Sequence, residues 1–329
     1  NGDTGVAAPG AARATVTVSF AALKPGLLLG DGRDLAGEVR VADIGLDCSR
    51  ARASLITDRD VTGAGLARSR AAHKWNSGVG VVAGAPGMMG APSFGCRGAQ
   101  RAGAGMVRLG VPGAAELTDL PAAEAVATGL PAQEWSSAAL EWTSRCRALV
   151  LGPGLGRSEA TASAVRALLG SSPLPAVVDA DGLHALGTDV EAVLASRKAP
   201  TVLTPHDGEF QTLTGAAPGE DRMEAVRTLA AATGAVVLLK GPTTLVAGPD
   251  GRVHFCASGS ARLATAGTGD VLAGVIGAFL ARGLEPALAA ALGAHVHGRA
   301  AGRGRPVGLV ASDLPELVSD VLSELIPGS

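Results

Sequence analysis

Short runs of β-branched and other apolar residues alternate along the chain with longer stretches rich in alanine and leucine. The runs that favour strands are Val16–Leu23, Val79–Gly84, Met106–Gly110, Ala148–Gly152, Ala176–Asp179, Thr201–Thr204 and Ala235–Leu239. Helices are predicted between them at Arg97–Ala104, Ser136–Ser144, Ser158–Leu169, Gly208–Thr214 and Asp221–Thr233. Because strands that alternate with helices build βαβ units, the pattern predicts an α/β fold with a mostly parallel sheet.

The last part of the chain departs from this alternation. Thr244–Val246 and Val253–Cys256 flank the turn residues Gly248-Pro249-Asp250-Gly251 and predict a hairpin. Helices are then predicted at Gly269–Arg282, Glu285–Gly302 and Ser312–Leu325. The longest apolar stretch, Val271–Ala281, is too short to cross a bilayer, so we expect a buried helix there and no membrane partner.

A change in composition predicts two units. Arg50–Ala72 is rich in arginine, alanine, serine and glycine, and its periodicity is weak. We divide the chain there into a short unit of residues 1–56 and a large domain of residues 57–329. The short unit carries the first predicted strand, a second run at Val39–Ile44 and turn residues at Gly30-Asp31-Gly32. Since an isolated pair of strands is marginal in water, these runs are expected to pack against other structure.

Composition and charge exclude several classes of partner. The 329 residues are 47% hydrophobic and 18% charged, with a net charge of −2 and 2% aromatic residues. Without a basic run or an aromatic-rich basic patch, we expect no nucleic-acid partner. Cys48, Cys96, Cys146 and Cys256 form no C-x-x-C pair, so we expect four small buried hydrophobic side chains in a reducing cytoplasm, without a disulfide framework or structural zinc.

A glycine-rich turn that enters an apolar helix carries the strongest chemical signal. The backbone N–H groups of Gly267, Thr268 and Gly269 would point outward at the helix N-terminus and form an anion hole for a phosphoryl group. Asp270, in the first turn, suits a general base that removes a hydroxyl proton during phosphoryl transfer. The same carboxylate could instead only complement the helix dipole, and this segment alone leaves the two interpretations even.

Further candidate loops follow other predicted strands, where open α/β sheets collect their ligands. Leu239–Thr244 brings a lysine and two hydroxyls that could bind nucleotide phosphates, although a solvated lysine beside a turn would look the same. Leu151–Gly156 has three glycines at spacing two, and Thr204–Phe210 contains a histidine. Val178–Leu183 places two carboxylates, which could hold Mg²⁺ or cap a short helix. Neither a G-x-G-x-x-G dinucleotide fingerprint nor a Walker A motif occurs.

The order of these segments resembles the ADP/ATP-dependent NAD(P)H-hydrate dehydratases, which are relatives of the ribokinase-like kinases. The matching stretches are His73-Lys74, Val81–Gly84, Gly90-Ala91, Arg101–Arg108, Leu151–Gly156, Asp179–Asp181, Thr204–Glu209, Leu239–Gly241 and Gly267–Asp270. The resemblance covers roughly residues 59–327. One departure is the run Ala85–Met89, which is more apolar and stiffer than the polar, glycine-rich run usual in the family.

The resemblance implies a ribokinase-like three-layer αβα fold with a mostly parallel central sheet, and it assigns site residues. It implies that the hydrated nicotinamide nucleotide contacts Ala91, Gly156, His206 and Asp270. It implies that the adenine nucleotide binds Lys240, Gly241, Pro242, Thr243, Thr244 and Gly269. No protein metal site is assigned.

The resemblance also implies a mechanism. Asp270 would deprotonate the ring hydroxyl of hydrated NADH or NADPH, ADP or ATP with Mg²⁺ would supply the phosphoryl group, and phosphate would leave by elimination. The Gly267–Gly269 amides would stabilise the developing charge. We expect a cytoplasmic homo-oligomer with no partners beyond hydrate and nucleotide.

The short unit resembles the end of an NAD(P)H-hydrate epimerase domain, a partial Rossmann-like α/β remnant. The matching stretches are Asp3–Gly5, Thr17–Phe20, Ala22–Leu27 and Val41–Leu46. The turn-like opening at Asn1 is typical of the interior of a longer chain, so we expect sequence before it. Because the stretches that would carry the epimerase substrate and potassium sites are not in this sequence, we expect no epimerase activity.

Two alternatives use the same residues. An ordinary ribokinase-like kinase for a hydroxymethylpyrimidine or thiazole alcohol would use the anion hole and Asp270 but release a phosphorylated alcohol. A nucleotide-binding sensor would bind without turnover. The Arg101–Arg108 stretch and the epimerase-like tail favour the dehydratase, and retention of Asp270 with its flanking residues argues against the sensor.

Overall fold

In the computed structural model, residues 1–114 and 122–326 are described, and they contain one large sheet. Its ten strands lie in the order β3 (Ala53–Leu55), β12 (Val253–Cys256), β11 (Thr244–Ala247), β10 (Val236–Leu239), β9 (Thr201–Leu203), β8 (Ala176–Val178), β7 (Ala148–Leu151), β4 (Gly78–Val82), β5 (Met106–Pro112) and β6 (Val126–Leu130). β11 is antiparallel to both neighbours, and the other pairings of this sheet are parallel. The prediction of a mostly parallel sheet is confirmed.

Helices cover both faces of the sheet. On one face lie α2 (Asp58–Gly63), α3 (Gly90–Arg101), α10 (Thr268–Ala281), α11 (Pro286–Arg303) and α12 (Leu314–Leu325). On the other lie α4 (Ser136–Trp142), α5 (Glu159–Ser171), α6 (Asp181–Leu186), α7 (Val190–Ala195), α8 (Asp207–Thr214) and α9 (Arg222–Thr233). Central strands such as β7 and β10 are buried along their whole length because both faces are covered. The three-layer αβα arrangement is therefore confirmed.

The apolar helix α10 is the centre of one helical layer. Every residue from Val271 to Ala281 is buried, as the sequence predicts. α10 crosses α3 where both helices carry glycine, and the two backbones come together there. A Cβ atom at Gly98 would overlap Val271 O, and one at Gly274 would overlap Gly95 O. This close approach fixes the position of the whole helix, including its N-terminus.

Several element bounds differ from the sequence predictions. The helix predicted from Arg97 begins at Gly90. Its first turns were missed because glycine and serine there interrupt the apolar pattern of a helix. Several short elements were not predicted, among them β3, β6, α2 and α7. Of the cysteines, Cys96, Cys146 and Cys256 are buried, but Cys48 is exposed, so the expectation of four buried side chains is wrong for Cys48.

The first unit forms a small parallel βαβ arrangement. β1 (Val16–Phe20) pairs in parallel with β2 (Glu38–Ala42), and α1 (Gly30–Leu35) begins at the glycines that were expected to form a turn. Leu29, 3% exposed, lies in the core cluster of the large domain. The division at residue 56 stays a prediction; β3, just before it, pairs with β12 in the large sheet.

Within the described residues, no helix is both long and apolar enough to span a membrane.

The α3–α10 crossing can be tested with a matched pair of glycine substitutions. Gly274→Ala should destabilise the protein by about 1–3 kcal/mol, because the added methyl group overlaps backbone atoms that cannot move independently. Gly170→Ala, near the end of α5 with open space around it, should instead stabilise by up to about 1 kcal/mol. Urea denaturation followed by circular dichroism measures both. Equal effects of the two substitutions would contradict the assigned contact.

Candidate active site at the carboxyl ends of the parallel strands

Loops that follow neighbouring parallel strands meet at one edge of the sheet and bring together a compact charged cluster. Asp179 follows β8 and Lys240 follows β10, and Lys240 Nζ lies 2.7 Å from Asp179 Oδ1. Glu209, in the first turn of α8, places Oε2 at 3.7 Å from the same nitrogen. The N-terminus of α10 completes the cluster, because a Cβ atom at Gly269 would lie 3.4 Å from Lys240 Nζ.

The turn into α10 has the geometry of an anion hole. Gly267 adopts φ +88°, and a Cβ atom there would lie 2.6 Å from the Phe94 ring, so only glycine fits. The single proton of the Thr268 hydroxyl is shared between Leu263 O at 2.8 Å and Thr265 O at 3.0 Å, which ties the turn together and leaves no proton to donate to a phosphate. Of the amides predicted to form the anion hole, Thr268 N donates to Thr265 O at 3.4 Å and is therefore engaged within the turn. The amides of Gly269 and Asp270, in the first turn, have no acceptor within the helix.

The charged cluster changes the proton affinity of its members. The pKa of Asp270 is raised to about 7, chiefly because the carboxyl is desolvated by burial and secondly because Asp179 is negative; Lys240 opposes the shift. Burial alone would lower the pKa of Lys240, but Asp179 and Glu209 outweigh it, so the pKa of Lys240 is raised and the side chain is a cation. Asp270 is therefore a carboxyl group that gains and loses its proton near neutral pH.

The two carboxylates after β8 have different partners. Asp179 is almost completely buried and holds Lys240. Asp181 accepts from Gly156 N and from Arg157 Nε, both at 2.9 Å, and so fixes the loop after β7. Gly152, φ +128°, allows this approach, since a Cβ atom there would overlap Asp179 O. Among residues 1–114 and 122–326, no group of three or more His, Cys, Asp or Glu side chains could hold a metal ion.

The residues assigned to the hydrate line the same edge of the sheet. Ala91 lies in the first turn of α3, and a Cβ atom at Gly154 would be 3.3 Å from Ala91 Cβ, so the loops after β4 and β7 are in contact. Gly84 N donates to Pro153 O at 2.8 Å across the same contact. Ala91 and the loop that ends at Gly156 therefore lie side by side.

His206 caps a helix with one ring nitrogen and exposes the rest of its side chain. Its Nδ1 accepts from Gly208 N at 3.0 Å and from Glu209 N at 3.3 Å, which caps α8. The neutral ring consequently carries its proton on Nε2, and the side chain is 60% exposed at the cleft. In turn, the Glu209 carboxylate accepts a hydrogen bond from His206 N at 2.9 Å. The spacing His206–Glu209 is that of a capping box, the signal in the sequence that could have identified Glu209.

The Lys240–Thr244 loop differs from its sequence interpretation in one respect. Thr243 is buried, and its hydroxyl donates to Leu28 O at 2.6 Å and accepts from Arg33. That hydroxyl is therefore not available to a phosphate, contrary to the expectation that both threonine hydroxyls serve the nucleotide. Arg33 has no recognisable signal in the sequence, since it lies some two hundred residues from its contacts.

Comparison with known proteins agrees with this geometry. A family model described as NAD(P)H-hydrate dehydratase matches residues 79–322. The chain belongs to the NAD(P)H-hydrate dehydratase family. The resemblance inferred from the motifs is confirmed.

Relatives within this family include both long and short proteins. A bifunctional NAD(P)H-hydrate repair enzyme of Salinibacter ruber is 39% identical over 98% of this chain and 64% of the relative. An ADP-dependent (S)-NAD(P)H-hydrate dehydratase of Neisseria meningitidis is 38% identical over 75% of this chain and 86% of the relative. The chain thus spans less than two thirds of the length of the bifunctional relative.

A solved structure of the same family has the same fold. The ADP/ATP-dependent NAD(P)H-hydrate dehydratase of Bacillus subtilis, co-crystallised with ATP and Mg²⁺, superposes with a TM-score of 0.71 at 28% identity. The match covers 83% of this chain and 98% of the other. The matched part of this chain therefore has the fold of that dehydratase.

The raised pKa of Asp270 predicts a pH-dependent effect on stability. The folded chain holds this proton up to a pH of about 7, whereas the unfolded chain releases it near 3.8, so ionisation destabilises the fold as pH rises through that window. Asp270→Asn should therefore raise Tm at pH 8 and change it much less at pH 4.5. Asp320→Asn, an exposed position on α12, is the control. Thermal denaturation with the same result at both pH values would disprove the shift.

Proposed function

We propose that this chain dehydrates the S form of hydrated NADH and NADPH with ADP or ATP as the phosphoryl donor and Mg²⁺ as the metal ion. The observation that carries the proposal is Asp270, a carboxyl group with a pKa near 7. It lies in the first turn of a helix that begins with a glycine-rich anion hole, next to the half-buried cation of Lys240. Family membership and the names of the Neisseria and Bacillus relatives support the choice of substrate and nucleotide.

The reaction begins with removal of a proton. Asp270 accepts the proton of the ring hydroxyl, and the oxygen attacks the terminal phosphorus of the nucleotide as the bond to the leaving phosphate oxygen breaks. The Gly269 and Asp270 amides stabilise the charge on the phosphoryl oxygens, in a position where they need no reorganisation. Lys240 adds a fixed positive charge beside them.

Elimination completes the reaction. The carbon–oxygen bond breaks as inorganic phosphate leaves with the electron pair, and the adjacent ring carbon loses a proton to solvent, which restores the ring double bond. Hydroxide, a poor leaving group, is thereby exchanged for phosphate, a good one. Ala91, Gly156 and His206 line the part of the cleft assigned to the nicotinamide nucleotide and would hold its ring in place.

Mg²⁺ would be held mainly by the nucleotide phosphates, because the described residues offer no cluster of ligands for a metal ion. The carboxylates of Asp179 and Glu209 are paired with Lys240 and would contribute through water. When bound, the ion neutralises charge on the nucleotide phosphates.

The homo-oligomeric state, the cytoplasmic location and the lack of epimerase activity stay predictions.

Substitution of the proposed base tests the assignment directly. Asp270→Asn keeps the shape of the side chain but cannot accept the proton, so turnover of hydrated NADPH should fall by about 10²-fold or more while hydrate binding changes far less. The assay follows recovery of reduced-nicotinamide absorbance together with release of inorganic phosphate. Asp320→Asn should retain full activity. Near-normal turnover in Asp270→Asn, or accumulation of a stable phosphoester in place of NADPH, would reject the proposal.

The pH profile provides a second test. Because the base works only when deprotonated, kcat/KM should rise with pH through about 7, well above the range of an ordinary carboxylate. Lys240→Ala removes the cation that lowers the pKa of Asp270, so the midpoint should move to higher pH. The same variant should raise the nucleotide KM more than the hydrate KM. Lys198→Ala, at an exposed position, controls for the loss of a lysine. An unmoved midpoint in Lys240→Ala would show that Asp270 is not the titrating group.

A further inference from the structure

Arg33 extends from the first unit onto the loop assigned to the nucleotide. It lies on α1, and its Nη1 donates to Pro242 O and to Thr243 Oγ1, the latter at 3.2 Å. Its Nη2 donates to Gly259 O at 3.0 Å. One guanidinium group therefore joins the loop after β10 to the segment after β12, and both of its terminal nitrogens are engaged with protein acceptors.

The two joined segments differ in how firmly they are held without Arg33. The segment at Gly259 packs tightly on α11, since a Cβ atom at Gly298 would lie 2.7 Å from Gly259 N, and Ser258 Oγ donates to His295 O at 2.9 Å. The other loop is held at its start, where Arg222 Nη2 donates to Lys240 O at 3.1 Å and Lys240 N donates to Pro205 O at 2.9 Å. Its tip, Gly241-Pro242, is exposed and precedes β11. Arg33 thus attaches the exposed tip to a fixed segment.

Arg33 is itself held in place by the large domain. Leu29, one turn before it, is buried in the core cluster that also contains Leu239 and Leu245, the residues on either side of the loop. Thr243 Oγ1 donates to Leu28 O at 2.6 Å, which adds a contact in the opposite direction. The first unit therefore both donates hydrogen bonds to the loop and accepts one from it, and its Leu29 is buried in the same core cluster as the ends of the loop.

We propose that Arg33 is a positioning residue for the adenine nucleotide: it holds the Lys240–Thr244 loop in the conformation that binds the nucleotide. This inference rests on the proposed function, which assigns the loop to the nucleotide. A loop that is ordered before binding loses less conformational entropy on binding, so removal of Arg33 weakens nucleotide affinity without any lost contact to the nucleotide. The first unit then contributes to a site formed by residues of the large domain.

The test compares Arg33→Ala with Arg40→Ala in the full chain. Arg40 is an exposed arginine on β2 of the same unit, where it pairs with Glu38, so it controls for the loss of an arginine. We expect Arg33→Ala to raise the Kd of ADP, measured by calorimetry with Mg²⁺, and the nucleotide KM by about tenfold, which corresponds to about 1.4 kcal/mol. kcat and the hydrate KM should stay within about twofold, and Arg40→Ala should change none of these values.

Arg33→Lys serves if the alanine variant does not fold, since it keeps the charge but has a single nitrogen for acceptors on both segments. It should show an intermediate rise in the Kd of ADP. Unchanged ADP affinity in folded Arg33 variants, or a fall in kcat with the nucleotide KM unaltered, overturns the inference. Failure of the proposed function is distinguishable, because the wild type would then not dehydrate the hydrate. The calorimetric comparison with ADP and Mg²⁺ in the absence of hydrate would still decide whether Arg33 positions the loop.

Discussion

The ion pair between Lys240 and Asp179 is the interaction on which the site depends. Asp179 is 1% exposed, and a buried carboxylate without a partner costs several kcal/mol. Its partner comes from a strand two positions away in the sheet, so the pair fixes the ends of β8 and β10 relative to each other. The Lys240 side chain then lies against Gly269, where its charge reaches Asp270. One pair thereby sets both the shape of the cleft and the proton affinity of its base.

Backbone conformations that most residues avoid allow this arrangement. Gly152 and Gly267 adopt positive φ angles at positions where a side chain would overlap neighbouring groups. Ala180, between the two carboxylates, has φ +51° and ψ −120°, a conformation that costs a non-glycine residue about 1–3 kcal/mol. This conformation directs Asp179 and Asp181 toward different loops, so the strain serves the division of roles between them.

The sequence predicted what depends on local pattern. The alternation of strands and helices, the buried helix at Val271–Ala281 and the glycine-rich turn before Asp270 are each specified by neighbouring residues. What it did not predict depends on contacts between distant segments. The polar sequence of Lys240–Thr244 did not predict that Thr243 is buried and bonded to Leu28 O. The sequence also could not show whether Asp181 binds a metal ion or holds the loop after β7. Nothing in the sequence around Arg33 likewise indicates that it bonds to Pro242 and Gly259.

The glycine contact between α3 and α10 limits which changes in chain length the helix can accommodate. Gly274 is one helical turn after Asp270, on the same side of α10, and a Cβ atom at Gly95 would lie 3.7 Å from Asp270 O. The face that docks the helix is therefore the face that aims the base. An insertion or deletion of one residue between these positions would rotate Asp270 by about 100° relative to the docking surface. A substitution that shifts α10 against α3 would therefore move the base as well as weaken the packing of the helix.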